Sequence, residues 1–378
     1  MLAPLLAAFP RTVGPLLQLL DETLPPADDA AALSAIMAHG PNEALTATEN
    51  AQPAILLTSI AILRVLEEQY SLPVAAAAAS GSGSGGSGGS KTEAETDADT
   101  DTAGETDFFL GHSLGEFSAL VAARVLHLAD ALRLVRRRGE VMRDCARRAS
   151  LPEMDGGPGE TGMVALLVEP PFLPGLLRAV DAFVASETLP NDEFLAVANV
   201  NSASQIVLSG HLKAIAACIG HLRRFAGHDP RALRLNVSAP FHSMVMAPAV
   251  PVVERMLATM PVNFAGVGPG EGGGVAVVAN VTARPYASAD ELRAVLARQC
   301  TATVRWAESV RYLDRERGVS RWIGIGPGKV AINLVGRELR SGMAGVVPVD
   351  GCDAHNIEAA VRRLQRTDDE GAGEQGGR

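Results

Sequence analysis

The stretch DFFLGHSLGEFSALVAARV, residues 107–125, decides the fold. A short apolar run, Asp107–Leu110, predicts a strand, and the amphipathic run Glu116–Val125 predicts a helix. The five residues GHSLG between them form a GxSxG pattern, so the whole stretch predicts a nucleophile elbow that holds Ser113 at the end of a sheet. An ordinary strand-to-helix turn that contains a serine is the alternative. We expect glycine on both sides of the turn because a Cβ would not fit there.

The helix after this turn predicts a way to stabilise negative charge next to Ser113. Its N-terminus carries a partial positive charge, and we expect the backbone N–H of Leu114 to donate there. Such an N–H is a typical donor to the oxyanion that forms when a serine attacks a carbonyl carbon.

Length and composition limit the class of protein. The chain has 378 residues, 47% of them hydrophobic, which suits one large α/β domain or two modest ones and excludes a wholly disordered protein. No run of 18 apolar residues is present, so we expect no membrane partner. The four cysteines are far apart and fit neither a zinc site nor a CxxC redox pair, so we expect reduced thiols, no metal and no cofactor.

The formal net charge of −10 is concentrated in one segment. Residues 93–107 carry seven acids and no base, so the rest of the chain is close to neutral. This balance does not favour nucleic acid or anionic lipid as a partner. Residues 75–107 combine an alanine run, SGSGSGGSGGS and these acids, which predicts a disordered insertion. Residues 366–378 predict a disordered tail for the same reason.

The middle of the chain predicts a small subdomain. Its elements have the order β-α-β-β-α-β, which is typical of ferredoxin-like folds. They are Met163–Val168, Phe172–Ala185, Phe194–Val200, Gln205–Ser209, Leu212–Phe225 and Ala232–Val237. We therefore expect an α/β protein in which a ferredoxin-like subdomain (160–238) is inserted into a large, α/β-hydrolase-like domain with a parallel sheet (1–74, 108–159 and 239–365). A cleft between the two is the expected ligand site.

Two further residues are candidates for the chemistry. His242 lies in APFHS, residues 239–243, where the chain returns to the large domain, and it could be the base for Ser113 or only a hydrogen-bonded loop histidine. Arg138 shares a helical stripe with Val135, Met142 and Cys145, so it is directed at the core. A buried guanidinium needs an anion, and either an internal carboxylate or a substrate could supply it.

The sequence resembles the malonyl-CoA:acyl-carrier-protein transacylases, the fungal mitochondrial type in particular. The segments that carry the resemblance occur in the same order as in that family and extend over most of the chain. They are QPA at 52–54, GHSLGEFSALVAA at 111–123, RRRGEVM at 136–142, NVNSASQIVLSG at 199–210, APFHSMVMAPA at 239–249, RQCTATVRW at 298–306 and GIGPGKV at 324–330.

The resemblance implies a double displacement in type II fatty acid synthesis. Ser113 would take the malonyl group from malonyl-CoA and pass it to the phosphopantetheine thiol of acyl carrier protein, with His242 as base and then acid. The backbone carbonyl of Gln299 would orient His242 in place of an aspartate. Arg138 would bind the malonyl carboxylate, and Phe241 would narrow the pocket against branched acyl groups.

The resemblance also assigns substrate contacts to Gln52 and His112, and it implies a monomer in the mitochondrial matrix. Relatives begin with a strand and a GQG-type loop that supplies a second oxyanion contact, so we expect coding sequence upstream of Met1. Two other functions stay open: a serine hydrolase or thioesterase, which would need a carboxylate beside the histidine, and a catalytically weakened protein that only binds the carrier.

Overall fold

The computed structural model describes residues 2–27, 30–72, 104–150, 159–186, 188–225, 227, 229–268, 272–351 and 353–375. The part of the predicted insertion before residue 104 lies outside these ranges. The helices are α1 (Ala3–Ala8), α2 (Pro10–Thr23), α3 (Leu33–His39), α4 (Asn42–Thr46), α5 (Thr48–Tyr70), α6 (Gly115–Ala122), α7 (Leu128–Ala149), α8 (Leu173–Ala185), α9 (Leu212–Phe225), α10 (Val250–Thr259), α11 (Ala289–Arg298), α12 (Trp306–Arg311), α13 (Val330–Glu338) and α14 (Ala354–Gln375). The strands are β1 (Gly104–Leu110), β2 (Thr161–Leu167), β3 (Leu195–Ser202), β4 (Gln205–His211), β5 (Arg231–Arg234), β6 (Gly272–Val278), β7 (Trp322–Ile325) and β8 (Val346–Val349).

Parallel strands form the centre of the large part. Strand β1 pairs in parallel with β6, with Phe108 opposite Ala276 and Leu110 opposite Val278, and β7 pairs in parallel with β8. Parallel strands need helical crossovers, which cover the sheet faces. Helix α5 is buried along most of its length, and α7 packs directly on it. A Cβ on Gly139 would lie 2.7 Å from the Glu49 Cα, so this glycine allows the close approach of α7 to α5.

The ferredoxin-like order of elements is present in the middle of the chain. Strands β2 to β5 form one antiparallel sheet with the spatial order β3-β4-β2-β5, and α8 and α9 pack on it. These helices share a core with the sheet that includes Leu166, Leu176, Val180, Ile206 and Leu222. A parallel bridge between Asn199 and Val304 connects this sheet to the large part. The predicted α/β class is confirmed.

Two predicted boundaries differ from the structure. Strand β1 begins at Gly104, inside the predicted insertion 75–107, because the backbone around Thr106 already pairs with Gly274 of β6. Helix α14 runs to Gln375, through most of the predicted tail 366–378. Its earlier turns are anchored by buried residues such as Val361, and extending an existing helix costs little. Among the helices of the described ranges, none is both long and apolar enough to cross a membrane.

Candidate active site

The turn between β1 and α6 places Ser113 at the carboxyl end of the sheet. Ser113 has a φ of 52°, in the left-handed region that non-glycine residues seldom adopt. A Cβ on Gly111 would lie 1.9 Å from the Gly115 carbonyl, so only glycine fits at position 111. A Cβ on Gly115 would meet no atom within 4 Å, so the prediction that both glycines are needed is wrong for Gly115. The first residue of α6 therefore lies against Gly111, while the position of a Gly115 side chain is open.

Ser113 lies in direct hydrogen-bond contact with His242. The distance between Ser113 Oγ and His242 Nε2 is 2.7 Å, and the distance between His242 Nδ1 and the Gln299 carbonyl oxygen is 2.9 Å. A carbonyl oxygen only accepts, so Nδ1 carries the ring proton and Nε2 is left to accept the serine proton. The structure therefore brings together the predicted nucleophile, the predicted base and the backbone group expected to orient it.

His242 is buried, and it is neutral over the physiological pH range. Burial, followed by the positive charge of Arg138, lowers the pKa of His242 from 6.5 to about 3. A neutral imidazole with its Nε2 lone pair directed at the serine hydroxyl can act as a general base. The resting protein thus holds the pair in the protonation state that nucleophilic attack requires.

Arg138 is buried, as its helical stripe predicts, and is only 2% exposed. It donates from Nη1 to Gln52 Oε1 at 2.7 Å and from Nη2 to Gln299 Oε1 at 3.0 Å, and it lies over the Phe117 ring. Its Nε has no hydrogen-bond partner in the part of the chain that the structure describes. Among the described residues no carboxylate forms an ion pair with Arg138. A guanidinium held by neutral amides beside a nucleophile is suited to binding an anionic group.

The remaining predicted residues lie around this centre. His112 Nε2 is 2.9 Å from Asn201 Oδ1 of β3, and its ring packs edge-on against Trp306, so it connects the elbow to the subdomain. Burial lowers the pKa of His112, which keeps its ring neutral. Phe241 is partly buried next to His242. None of the hydrogen bonds found among the described residues uses the Leu114 N–H, so this donor is available to an oxyanion.

Sequence reasoning missed two polar residues, Glu116 and Asn280, that fix the elbow. Ser113 N–H donates to Asn280 Oδ1 at 2.7 Å, and Asn280 Nδ2 donates to the Gly111 carbonyl at 2.7 Å. Glu116 is fully buried and accepts from the Asn280 N–H at 3.2 Å. Burial raises the pKa of Glu116 from 4.5 to about 7. An acid within the apolar helix after GHSLG, and an asparagine just after a parallel strand, were the signals available.

The side chain of Gln299 was also missed, since only its carbonyl was expected to act. Its Nε2 donates to the Ser113 carbonyl at 2.9 Å and to Glu116 Oε2 at 2.6 Å, while its Oε1 accepts from Arg138. One residue therefore contacts the nucleophile, the base and the anion-binding arginine. In the part of the chain that the structure describes, no cluster of three or more His, Cys, Asp or Glu side chains is arranged to hold a metal ion.

Comparisons with known proteins identify relatives of the chain. No known family model matches the chain. It is 32% identical over 337 residues to the malonyl CoA-acyl carrier protein transacylase of Bacillus subtilis, which covers 89% of this chain and 86% of that protein. It is also 32% identical over 345 residues to the protein of the same name from Escherichia coli, which covers 89% of this chain and 87% of that one.

Solved structures show the same likeness. The malonyl CoA-acyl carrier protein transacylase of Coxiella burnetii superposes with a TM-score of 0.69 at 26% identity, over 96% of this chain and 93% of that one. A malonyl-transacylase in complex with its type II PKS acyl-carrier protein gives a TM-score of 0.70 at 28% identity, over 96% of this chain and 94% of that chain. The chain therefore belongs to the malonyl-CoA–acyl carrier protein transacylase family.

Proposed function

We propose that this protein transfers the malonyl group of malonyl-CoA to the phosphopantetheine thiol of acyl carrier protein through a malonyl-Ser113 intermediate. The observation that carries the proposal is the line of contacts from Ser113 Oγ through His242 to the Gln299 carbonyl. Beside it lies a buried Arg138 that has no carboxylate partner among the residues that the structure describes. The names of the relatives at 32% identity support the same reaction.

The first half-reaction forms the acyl-enzyme. His242 Nε2 takes the hydroxyl proton while Ser113 Oγ attacks the thioester carbon of malonyl-CoA. The negative oxygen of the tetrahedral intermediate lies at the N-terminus of α6, where the Leu114 N–H can donate to it. When the intermediate collapses, the carbon–sulfur bond breaks and the departing CoA thiolate takes the proton from His242.

The second half-reaction reverses the roles. The phosphopantetheine thiol gives its proton to His242 Nε2, and its sulfur attacks the ester carbon of malonyl-Ser113. Collapse of this intermediate releases the malonyl thioester, and Ser113 Oγ regains a proton from His242. The histidine ends each half-reaction neutral, which is the state that its buried position favours.

Arg138 supplies the selectivity for a dicarboxylic acyl group. The malonyl carboxylate would meet the guanidinium that Gln52 and Gln299 hold in place, and charge-assisted hydrogen bonds of this kind are the strong ones. The bound anion also offsets the positive charge that lowers the pKa of His242, so substrate binding makes the base stronger.

The two alternative functions have distinct expectations. A serine hydrolase of the usual type would place a carboxylate at His242 Nδ1, whereas here that nitrogen lies 2.9 Å from a backbone carbonyl oxygen. A protein that only binds the carrier would have no need of a serine hydroxyl 2.7 Å from an imidazole nitrogen.

The test is a single incubation of the protein with malonyl-CoA and holo acyl carrier protein, followed by intact-mass spectrometry of both proteins. We expect a malonyl adduct on Ser113 and malonyl-loaded carrier, and no adduct in Ser113→Ala. Release of free malonate with no loaded carrier would identify a hydrolase. Absence of any adduct on Ser113 would refute acyl transfer and favour the binding-only function.

We also propose that the protein is of the fungal mitochondrial type, works in the mitochondrial matrix and acts as a monomer. The support is the resemblance of the segments at 111–123, 199–210 and 239–249 to that type. Fluorescence imaging of the tagged gene product should show matrix signal, and light scattering should give the mass of one chain. Cytosolic signal or a dimer mass would refute the corresponding statement.

A further inference from the structure

The buried carboxylate of Glu116 takes no part in the reaction steps above, yet it contacts Gln299, whose Nε2 also contacts the Ser113 carbonyl. Its Oε1 accepts from the Tyr286 hydroxyl and the Asn280 N–H, and its Oε2 accepts from Gln299 Nε2 at 2.6 Å. Every contact to Glu116 in this set is made by a donor. An ionised carboxylate, which accepts at both oxygens, satisfies all of them, and with a pKa of about 7 Glu116 is mainly ionised at pH 8.

The amide of Gln299 could in principle point either way. In the structure its Nε2 faces Glu116 Oε2 and the Ser113 carbonyl, and its Oε1 faces Arg138 Nη2 at 3.0 Å. A reversed amide would place an NH₂ group against the guanidinium and an oxygen against the carboxylate. Glu116, together with the Ser113 carbonyl, therefore selects the one orientation in which the Gln299 oxygen can hold Arg138.

The same contact gives Arg138 a counter-charge without occupying its anion-binding side. Arg138 forms no ion pair within the described ranges, and its Nε has no partner. Glu116 acts on it from the far end of the Gln299 amide. Burial raises the pKa of Glu116, and the charge of Arg138 opposes that rise only weakly, as expected when the two charges face each other through the amide and not in direct contact. A carboxylate in direct contact with Arg138 would compete with the substrate.

We propose that Glu116 is a positioning residue of the acyl-transfer site, whose carboxylate fixes the direction of the Gln299 amide and so holds Arg138 ready for the malonyl carboxylate. The inference rests on the proposed function, since it assigns the means by which that site selects its acyl group. It predicts that removing the charge of Glu116 changes selectivity and not only stability.

The decisive variant is Glu116→Gln, which keeps the size of the side chain. The NH₂ group of the introduced glutamine must face either the Asn280 N–H or the Gln299 NH₂ group. Both of these groups are donors, so neither can accept a hydrogen bond from it. Turning the Gln299 amide relieves one conflict and places an NH₂ group against Arg138. We expect the ratio of kcat/KM for Ser113 acylation by malonyl-CoA over acetyl-CoA to fall about 10- to 100-fold at pH 8, mainly through the KM for malonyl-CoA.

Tyr286→Phe is the matched control. It removes a buried hydrogen bond from Oε1 of the same carboxylate and leaves the contact between Oε2 and Gln299 in place. We expect it to lower the melting temperature as Glu116→Gln does, with the malonyl-to-acetyl ratio within about 3-fold of the wild type. Equal losses for both acyl groups in Glu116→Gln would overturn the inference and leave Glu116 with a structural role.

A second variant keeps the inference testable where Glu116→Gln fails to fold. Gln299→Met removes both ends of the amide and keeps the backbone carbonyl that contacts His242, so we expect the same loss of the malonyl-to-acetyl ratio. An unchanged ratio in Gln299→Met would overturn the inference.

The half-reaction also separates this inference from the proposed function. A wild-type protein that forms malonyl-Ser113 but loads no carrier would refute the proposed function alone. Normal carrier loading by the wild type, together with an unchanged ratio in Glu116→Gln, would refute the role of Glu116 alone.

Discussion

Replacing Arg138 with alanine is the sharpest test of how the site recognises its acyl group. The guanidinium is buried and is held by Gln52 Oε1 and Gln299 Oε1, and its Nε has no hydrogen-bond partner within the described ranges. In Arg138→Ala the carboxylate of a bound malonyl group would enter a buried space with no cation. An acetyl group has no carboxylate and loses nothing by the change.

The size of the effect follows from the burial. Breaking a buried ion pair by removing one partner costs about 3–5 kcal/mol, because the other charge is left uncompensated. This corresponds to about 10²- to 4 × 10³-fold in kcat/KM for malonyl-CoA, since each 1.4 kcal/mol is a factor of ten. The same change should leave acetyl transfer within about 10-fold, so selectivity is lost rather than activity as a whole.

The assay is single-turnover acylation of Ser113 by malonyl-CoA and by acetyl-CoA, followed by intact mass. Arg137→Ala is the matched control, because Arg137 is the next residue on α7, is about half exposed and pairs with Glu140 at 2.9 Å. It should leave both rates unchanged. A malonyl-to-acetyl ratio in Arg138→Ala equal to that of the wild type would refute the assignment of Arg138 as the carboxylate site.

Three other changes have defined outcomes. His242→Ala should slow acylation of Ser113 by about 10²–10⁴-fold in stopped-flow measurements, and a near-normal rate would place the base elsewhere. Phe241→Ala should allow acylation by methylmalonyl-CoA, whereas continued exclusion in a mass assay would mean that Phe241 does not narrow the pocket. Folded Glu116 keeps its proton up to about pH 7, while the unfolded chain loses it near pH 4.5. The free energy of unfolding, measured by urea titration, should therefore fall by about 3 kcal/mol between those pH values in the wild type but not in Glu116→Gln. The same pH dependence in both proteins would contradict the raised pKa of Glu116.

Features that depend on near neighbours in the chain could be predicted from sequence. The strand, turn and helix around Ser113 follow from an apolar run, a glycine and an amphipathic run, and all three are present. The stripe on α7 correctly separated buried Arg138 from exposed Arg137 because the helical period alone decides which side chain faces the core.

Features that depend on distant parts of the chain could not. Glu116 looks like an ordinary acid in the first turn of a helix, where a negative charge is favourable in any case. Its role arises only because β6 ends beside β1 and brings Asn280 to it, and because α11 ends there and brings Gln299. Those partners are more than 160 residues away, so no local pattern connects them.

The backbone at the two reacting residues has a consequence for the stability of the fold. Ser113 and His242 have positive φ values of 52° and 57°, in a region of backbone conformation that glycine and asparagine adopt more readily than most residues. Strain of this kind costs of order 1–3 kcal/mol at each residue. The fold therefore holds its nucleophile and its base in place at the expense of folding free energy, which the packing of the surrounding helices and strands must offset.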